Sequence, residues 1–142
     1  TLKKNHEIYY LTLHVGAGTF KGVEFEDINK HIMHSEYFNI PNDTAEILKS
    51  NRPILGVGTT VTRVVEDYAR NNVLNGECKL FLNYKNRPIR QNYLLTNFHL
   101  PKSTLIMLVT AFIGYEKTME IYKVAVDEKY RFYSYGDAML VI

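Results

Sequence analysis

The chain has 142 residues, of which 46% are apolar and 23% are charged. These values are typical of one globular domain, and they exclude a wholly disordered chain. The formal net charge of +2 excludes a domain that binds nucleic acids through high overall charge, but it allows a local basic patch on an enzyme. Cys78 is the sole cysteine, so these residues form no disulfide among themselves, which fits a reducing compartment.

Membrane insertion and secretion are not indicated. The longest apolar run, residues 104–113, is about half of the ~20 residues that a membrane-spanning helix needs. No signal peptide is recognisable at the start. Since the chain begins with Thr1 rather than methionine, we expect a piece of a longer protein or a trimmed one.

Strands and helices alternate along the chain. Runs of β-branched and aromatic residues predict strands over residues 8–15, 34–40, 53–57, 79–84, 89–96, 130–135 and 138–142. Apolar residues at helical spacing, with capping residues, predict helices over residues 43–50, 61–72, 104–113 and 117–129, and a short helix or irregular turn over 23–32. The alternation predicts an α/β class with a mixed, mainly parallel sheet flanked by helices. Residues 1–142 would form one domain, with a hairpin across residues 78–93.

Local signals refine the helices. Asp43 and Glu46 have the spacing of a capping box. Glu66 and Arg70 are four residues apart, which predicts an ion pair on the wet side of the second helix. The third helix is apolar nearly all round, so we expect it to be buried between Ser103 and a closing glycine.

Two glycine loops follow predicted strands, HVGAGTF (residues 14–20) and GVGTT (residues 56–60). Glycine lets a ligand approach the backbone, and the second loop runs into a helix N-terminus that favours a phosphate or carboxylate. Neither loop is a phosphate-binding fingerprint, because Lys21 occupies the third glycine position of the first. From spacing alone, tight turns at strand ends are the favoured interpretation of both loops, and ligand binding is the alternative.

Two histidine-containing segments are further candidates. His31, His34 and Glu36 form a weak metal-binding pattern, for which a hydrogen-bonding or surface role is favoured. Asn97 and His99 lie where a predicted strand ends and a buried helix begins, the region where ligands gather in open α/β sheets. His99 is therefore either a general acid or base or a hydrogen-bonded partner in the fold.

Two clusters combine aromatic and basic residues. The segment YRFYSYGD, residues 130–137, would stack nucleobases or form a strand with one aromatic face in the core, and its alternation favours the strand. The other cluster would contact a nucleic-acid backbone or form a solvated hairpin tip. It consists of Tyr84, Lys85, Arg87, Arg90 and Tyr93. Cys78 has no activating neighbour in sequence and is interpreted as inert.

Five long strings carry a resemblance to a known family. They are LTLHVGAGTF (11–20), HIMHSEYF (31–38), VGTTVTRVVE (57–66), LLTNFHLPKSTLIMLVTAFIGYEKTMEIYKVAV (94–126) and EKYRFYSYGDAMLVI (128–142). In this order they closely resemble the carboxy-terminal part of the S-adenosylmethionine:tRNA ribosyltransferase-isomerase family of queuosine biosynthesis. The resemblance implies a fragment of a larger two-domain enzyme, whose amino-terminal segment and most of an inserted β-rich domain are absent from these residues.

The resemblance also implies a reaction. The ribosyl part of S-adenosylmethionine moves to 7-aminomethyl-7-deazaguanine at the tRNA wobble position, giving epoxyqueuosine and releasing adenine and methionine. S-Adenosylmethionine is then a substrate, and no metal or other cofactor is implied. The expected partners are S-adenosylmethionine and the tRNA anticodon arm, in a cytoplasmic monomer without membrane contact. A non-catalytic nucleotide- or RNA-binding module is the alternative, as is a purely structural domain, and we expect the 142 residues alone to be inactive.

By analogy with the family, site roles are assigned to particular residues. The polar catalytic candidates are His14, His99 and Asp137. The substrate-binding candidates are Gly16, Gly18, Thr19, Gly58, Thr59, Thr60, Asn97, Arg63 and Arg131 (for a carboxylate or phosphate), and Tyr133 and Tyr135 (for stacking on adenine or the wobble base). One departure affects the first loop, where Lys21-Gly22-Val23 replaces the family's usual proline before valine. We expect the strand ends that carry these residues to converge into one cleft.

Overall fold

The computed structural model describes residues 4–16 and 33–142. The short helix or turn predicted over residues 23–32 lies outside these ranges. The described strands are β1 (Thr12–His14), β2 (Glu36–Asn39), β3 (Leu55–Val57), β4 (Asn75–Cys78), β5 (Tyr93–Asn97) and β6 (Ala138–Val141). The described helices are α1 (Asn42–Lys49), α2 (Thr59–Asn71), α3 (Thr104–Ile113) and α4 (Tyr115–Asp127).

The described strands form two three-stranded sheets, and the predicted α/β class is confirmed. The antiparallel sheet has the order β1-β2-β4, and the mixed sheet has the order β3-β5-β6. The pairing is less parallel than predicted, since β3 with β5 is the one parallel pair among the described strands. The reason lies in the connections: the helical pair α3–α4 returns the chain to the end of the sheet where β5 stops, so β6 starts opposite Asn97 and runs antiparallel.

The mixed sheet packs mainly on α3 and α4 and the antiparallel sheet on α1 and α2, while α2 also contacts β3 and β5 of the mixed sheet. The mixed sheet buries Leu94, Met139 and Val141 against apolar residues of α3 and α4. The antiparallel sheet buries Phe38 and Cys78 against α1 and α2. Burial raises the pKa of the Cys78 thiol, which agrees with its interpretation as inert.

The predicted helices form with small differences at their ends. α3 begins after Ser103, whose hydroxyl accepts a hydrogen bond from the Ile106 backbone N–H, and Gly114 ends it as predicted. Most of α3 is buried, as expected for an apolar helix. The capping box predicted for α1 is wrong: Pro41 is the N-cap, and the Asp43 carboxylate accepts from the adjacent Thr44 N–H. No helix in the described part of the chain is long and apolar enough to span a bilayer.

The segment between β4 and β5 differs from the predicted hairpin. Residues 79–92 contain a turn closed by one bridge between Asn83 and Asn86, with no paired strands of their own. Glu66 of α2 explains the difference, because its carboxylate accepts hydrogen bonds from three consecutive backbone N–H groups. These belong to Ile89, Arg90 and Gln91, at 2.7, 2.9 and 2.7 Å. A side chain therefore satisfies the backbone that a partner strand would otherwise satisfy.

The ion pair predicted between Glu66 and Arg70 forms at 2.6 Å, but it does not lie on the wet side of α2. The Glu66 side chain is fully buried. Arg87 and Arg90 hold the same segment from its other side by donating to backbone carbonyls at the carboxyl ends of α3 and α1. These four residues, here called the Glu66 network, tie three helices together, so Arg87 and Arg90 are engaged within the fold rather than free for a nucleic acid.

Candidate functional site

Three strand ends of the mixed sheet meet at one edge. The Gly58 N–H donates to the Leu95 carbonyl at 2.9 Å, which places the GVGTT loop beside β5. β5 ends at Asn97, which lies opposite Ala138 at the start of β6. The carboxyl ends of β3 and β5 and the residues just before β6 therefore lie together, in the position where open α/β sheets bind ligands.

The loop over residues 130–137 closes this edge. It is a turn rather than the predicted strand, because it bonds to itself and to β5. The Asp137 carboxylate accepts from the Arg131 backbone N–H and guanidinium, each at 2.8 Å. The Tyr133 N–H donates to the Phe98 carbonyl at 3.0 Å, and the Phe98 N–H donates to the Asp137 carbonyl at 3.2 Å.

Backbone geometry within this loop is tightly specified. Tyr133 adopts φ 71°, a left-handed conformation that is uncommon for a tyrosine. A Cβ at Gly136 would lie 2.4 Å from the Arg131 carbonyl oxygen, so the turn requires glycine there. The result is a closed turn that leaves Tyr135 98% exposed and Tyr133 59% exposed.

Asn97, Arg131, Tyr133 and Asp137 are brought together here, and we call them the strand-end site. The His99 side chain lies on the other face of the sheet, beside Thr96. Asn97 is half-buried, and its side-chain N–H₂ lies 3.4 Å from the Gly136 carbonyl. Hydrogen bonds from the Arg131 guanidinium and backbone lower the pKa of Asp137, so this side chain is a carboxylate at neutral pH.

His99 is held from two sides. Its Nε2 lies 2.9 Å from the Thr96 hydroxyl, and its backbone N–H donates to the Tyr122 hydroxyl at 3.1 Å. Burial lowers the pKa of His99 to about 4 and raises the pKa of Tyr122 to about 12. Both groups are therefore neutral at pH 7, and an imidazole with so low a pKa is a weak proton acceptor.

Backbone conformation and close packing require the two glycines of the GVGTT loop. Gly58 has φ +99°, and a Cβ at Gly56 would lie 2.3 Å from the side-chain amide of Gln91. α2 begins directly after Gly58, with no side chain capping it. Thr59 is buried and Thr60 is half-buried at this N-terminus. The tight-turn interpretation thus has direct support, and the backbone N–H groups of the first turn lie at the same edge as Asn97.

Arg63 is not at the surface. It is 2% exposed, and its guanidinium forms an ion pair with the buried Glu36 at 3.0 Å. It also donates to the carbonyls of Leu80, His34 and Cys78. A substrate carboxylate or phosphate would have to displace these partners. Glu36 belongs to the weak metal pattern, whose His31 lies outside the described residues, and no metal-binding group of three side chains occurs in the described ranges.

The first glycine loop is described only in part. His14 lies opposite Tyr37 at the end of β1, in the antiparallel sheet, and both His14 and Gly16 are exposed. The adjacent Glu36 links this end of β2 to Arg63 of α2. Gly18, Thr19, Lys21 and Gly22 lie outside the described residues.

An open groove elsewhere holds none of the predicted site residues. It runs between α2 and the β4 edge and is lined by Asp67, Asn71, Glu77 and Lys79, among others. Among the described residues, it shares no lining residue with the strand-end site.

Comparison with known proteins decides the family. A family model described as queuosine biosynthesis protein matches residues 1–141. The chain belongs to this family. A protein of Campylobacter concisus named S-adenosylmethionine:tRNA ribosyltransferase-isomerase is 70% identical over 141 residues, which are 99% of this chain and 42% of that protein. A protein of the same name from a Nitratiruptor species is 57% identical over 142 residues, again 42% of its length.

A solved structure agrees with these matches. The crystal structure of an S-adenosylmethionine tRNA ribosyltransferase from Thermotoga maritima superposes with a TM-score of 0.71 at 40% identity, over 75% of this chain and 40% of that one. The chain thus spans about two fifths of the length of the family members it matches, which is consistent with a part of a larger enzyme.

Sequence reasoning missed several polar residues of this family member. Thr96 and Tyr122, which hold His99, lie in apolar surroundings and carry no motif of their own. Gln91 is buried, donates to the Thr62 hydroxyl, and packs against Gly56. The sequence places the GVGTT glycines directly before a helix N-terminus. It does not indicate that Gln91, two residues before β5, packs against Gly56.

Proposed function

We propose that this chain carries part of the active site of a tRNA ribosyltransferase-isomerase. The enzyme would move the ribosyl part of S-adenosylmethionine onto the aminomethyl group of 7-aminomethyl-7-deazaguanine at the tRNA wobble position. The amine loses a proton as it forms a carbon–nitrogen bond to the ribosyl group, and the carbon–sulfur and glycosidic bonds break to release methionine and adenine. The ribosyl carbons and ring oxygen reclose as the epoxide-bearing carbocycle of epoxyqueuosine. The 70% identity over 141 residues with a protein of that name is the observation that carries this proposal.

The chemistry requires mainly positioning. The sulfonium of S-adenosylmethionine is its own leaving group, so the protein needs to orient the two substrates, accept a proton and contact anionic groups. At the strand-end site, Asn97 and the Asp137 carboxylate would perform these functions. His99, with its pKa of about 4, serves as a neutral hydrogen-bonding group rather than as the acceptor of the amine proton.

The remaining binding roles are assigned from the exposure of the side chains. Tyr133 and Tyr135 are exposed rings on the loop that closes the edge, and they would stack on adenine or the wobble base. Arg131 is exposed and would contact a carboxylate or phosphate while remaining paired with Asp137. The N-terminus of α2, from Gly58 to Thr60, would receive an anionic group of S-adenosylmethionine.

Binding without catalysis is the second candidate function for the 142 residues by themselves. Its support is the span of the chain, which is 42% of the length of its relatives. The short chain would then bind S-adenosylmethionine or the anticodon arm and release no adenine.

The experiment uses a full-length chimera, in which this chain replaces the matched 141 residues of the Campylobacter concisus relative. Labelled S-adenosylmethionine and tRNA carrying 7-aminomethyl-7-deazaguanine are supplied, and adenine release is measured. We expect turnover by the chimera and none by the 142 residues alone. A chimera that is folded and inactive beside an active relative contradicts the proposal. Unchanged turnover in His99→Ala removes His99 from the site.

A further inference from the structure

The mixed sheet has one covered face and one bare face. Residues alternate between the faces along each strand, so Leu94, Met139 and Val141 point into the core. The opposite face carries apolar side chains in solvent. Its members, with their exposed fractions, are Leu55 (40%), Val57 (61%), Tyr93 (39%) and Leu140 (55%), together with the half-buried Leu95.

These side chains form one continuous surface, which we call the bare face. Strand register places Val57 opposite Leu95 and Leu95 opposite Leu140, a row that crosses all three strands. Leu55 lies opposite Tyr93 in the next row. Directly opposed side chains on neighbouring strands are in contact range, so the row is contiguous.

Such a surface is unusual for the exterior of a soluble protein. A large contiguous apolar patch marks a contact with another part of a protein. Parallel pairing, as between β3 and β5, is typical of sheets that are covered on both faces. The five positions of the bare face include no charged residue. The chemistry of these side chains therefore fits an apolar layer rather than a nucleic acid or an anionic ligand.

We propose that the bare face is the docking surface for the part of the parent polypeptide that its relatives possess beyond the matched length. The chain spans 42% of the Campylobacter concisus relative, so more than half of that polypeptide lies outside the match. Asn97 lies on the same face, opposite Ala138 at the carboxyl end of the sheet. The docked segment therefore reaches the edge that carries the strand-end site. The docking follows from exposure and register and does not depend on the proposed reaction.

The test compares one substitution in two contexts. Val57→Lys places a charge on the bare face, and Val126→Lys is its matched control on α4, since Val57 is 61% exposed and Val126 is 62% exposed. In the 142-residue chain both substitutions leave the melting temperature within about 2 °C, because both positions are in solvent. In the full-length chimera, Val57→Lys lowers it by at least about 4 °C and Val126→Lys by less than about 1 °C.

A second pair of substitutions controls for a local effect on folding at one position. Leu140→Lys, at 55% exposure, is compared with Val124→Lys, at 54% exposure. Equal small shifts for bare-face and control substitutions in the chimera overturn the proposal. Sedimentation of the short chain as a dimer that Val57→Lys dissociates overturns it as well, because a second copy is then the occupant. The readout is thermal stability, so an inactive but cooperatively folded chimera leaves this test intact.

Discussion

Charged residues serve opposite purposes in two regions of the molecule. In the Glu66 network, the Glu66 carboxylate is fully buried and accepts from backbone N–H groups, and the arginines donate to backbone carbonyls of the protein itself. In the strand-end site, the Arg131 side chain is 75% exposed, and its ion-pair partner among the described residues is its loop neighbour Asp137. The same residue types therefore stabilise the fold in one region and remain accessible to solvent in the other.

The sequence does not separate these two regions, because availability depends on partners that are distant in the chain. Arg63 and Arg131 both received the same predicted role. Arg63 is enclosed by Glu36, 27 residues away, and by three carbonyls, whereas the partner of Arg131 is six residues away in an exposed turn.

Removal of the Glu66 carboxylate gives the largest expected loss. Glu66→Ala leaves three buried backbone N–H groups and Arg70 without their acceptor, so we expect the free energy of unfolding to fall by about 3–5 kcal/mol. Urea denaturation of the 142-residue chain measures it. Glu120→Ala, which breaks an exposed pair with Lys117, is the control and is expected to change stability by less than about 1 kcal/mol. Similar effects for both variants would remove the distinction between the regions.

The turn at Gly136 gives the next effect, because the strand-end site depends on its shape. Gly136→Ala would push a methyl group against the Arg131 carbonyl, and we expect a loss of about 2 kcal/mol. Ser134→Ala, in the same exposed turn, is expected to be neutral. Denaturation curves of the two variants decide between them. A neutral Gly136→Ala would show that the turn relaxes without cost.

Features set by local signals were predictable from the sequence, and features set by side chains elsewhere in the chain were not. α3 was located to the residue, because its capping serine, apolar run and closing glycine are all local signals. The class of the fold followed from the alternation of elements. The hairpin over residues 78–93 failed because Glu66, 23 to 25 residues away, satisfies its backbone. The strand over 130–135 failed because a carboxylate two residues beyond it closes the loop into a turn.

The free energy of unfolding depends on pH through the buried His99. Its pKa is about 4 in the folded chain and 6.5 as the ordinary value, so the unfolded chain binds the proton first as pH falls. The contribution to stability is present above pH 6.5 and is lost between pH 6.5 and about 4, with a loss of about 2 kcal/mol between pH 7 and pH 5. His99→Gln should reduce the pH dependence by that amount in urea denaturation. An unchanged pH dependence would mean that His99 titrates alike in the folded and the unfolded chain.

The smallest effect on stability is expected at Tyr135. Its ring is 98% exposed, so Tyr135→Ala should leave the melting temperature of the chain within about 1 °C. In the chimera the same change should raise the KM for tRNA by about tenfold, because a stacked base is worth roughly 1–3 kcal/mol. Tyr10→Ala, an exposed tyrosine outside the strand-end site, is the control. Equal KM values for the two variants would remove Tyr135 from the interface.

The proposed position of the substrate at the strand ends is tested most directly at Asn97. Adenine release is measured for the chimera carrying Asn97→Ala and, as a control, Asn71→Ala, which removes an exposed amide from α2 near the unrelated groove. We expect kcat/KM to fall at least about tenfold for Asn97→Ala and to stay within about twofold for Asn71→Ala, with both variants fully folded. Equal kcat/KM values for Asn97→Ala and the unsubstituted chimera would contradict the account.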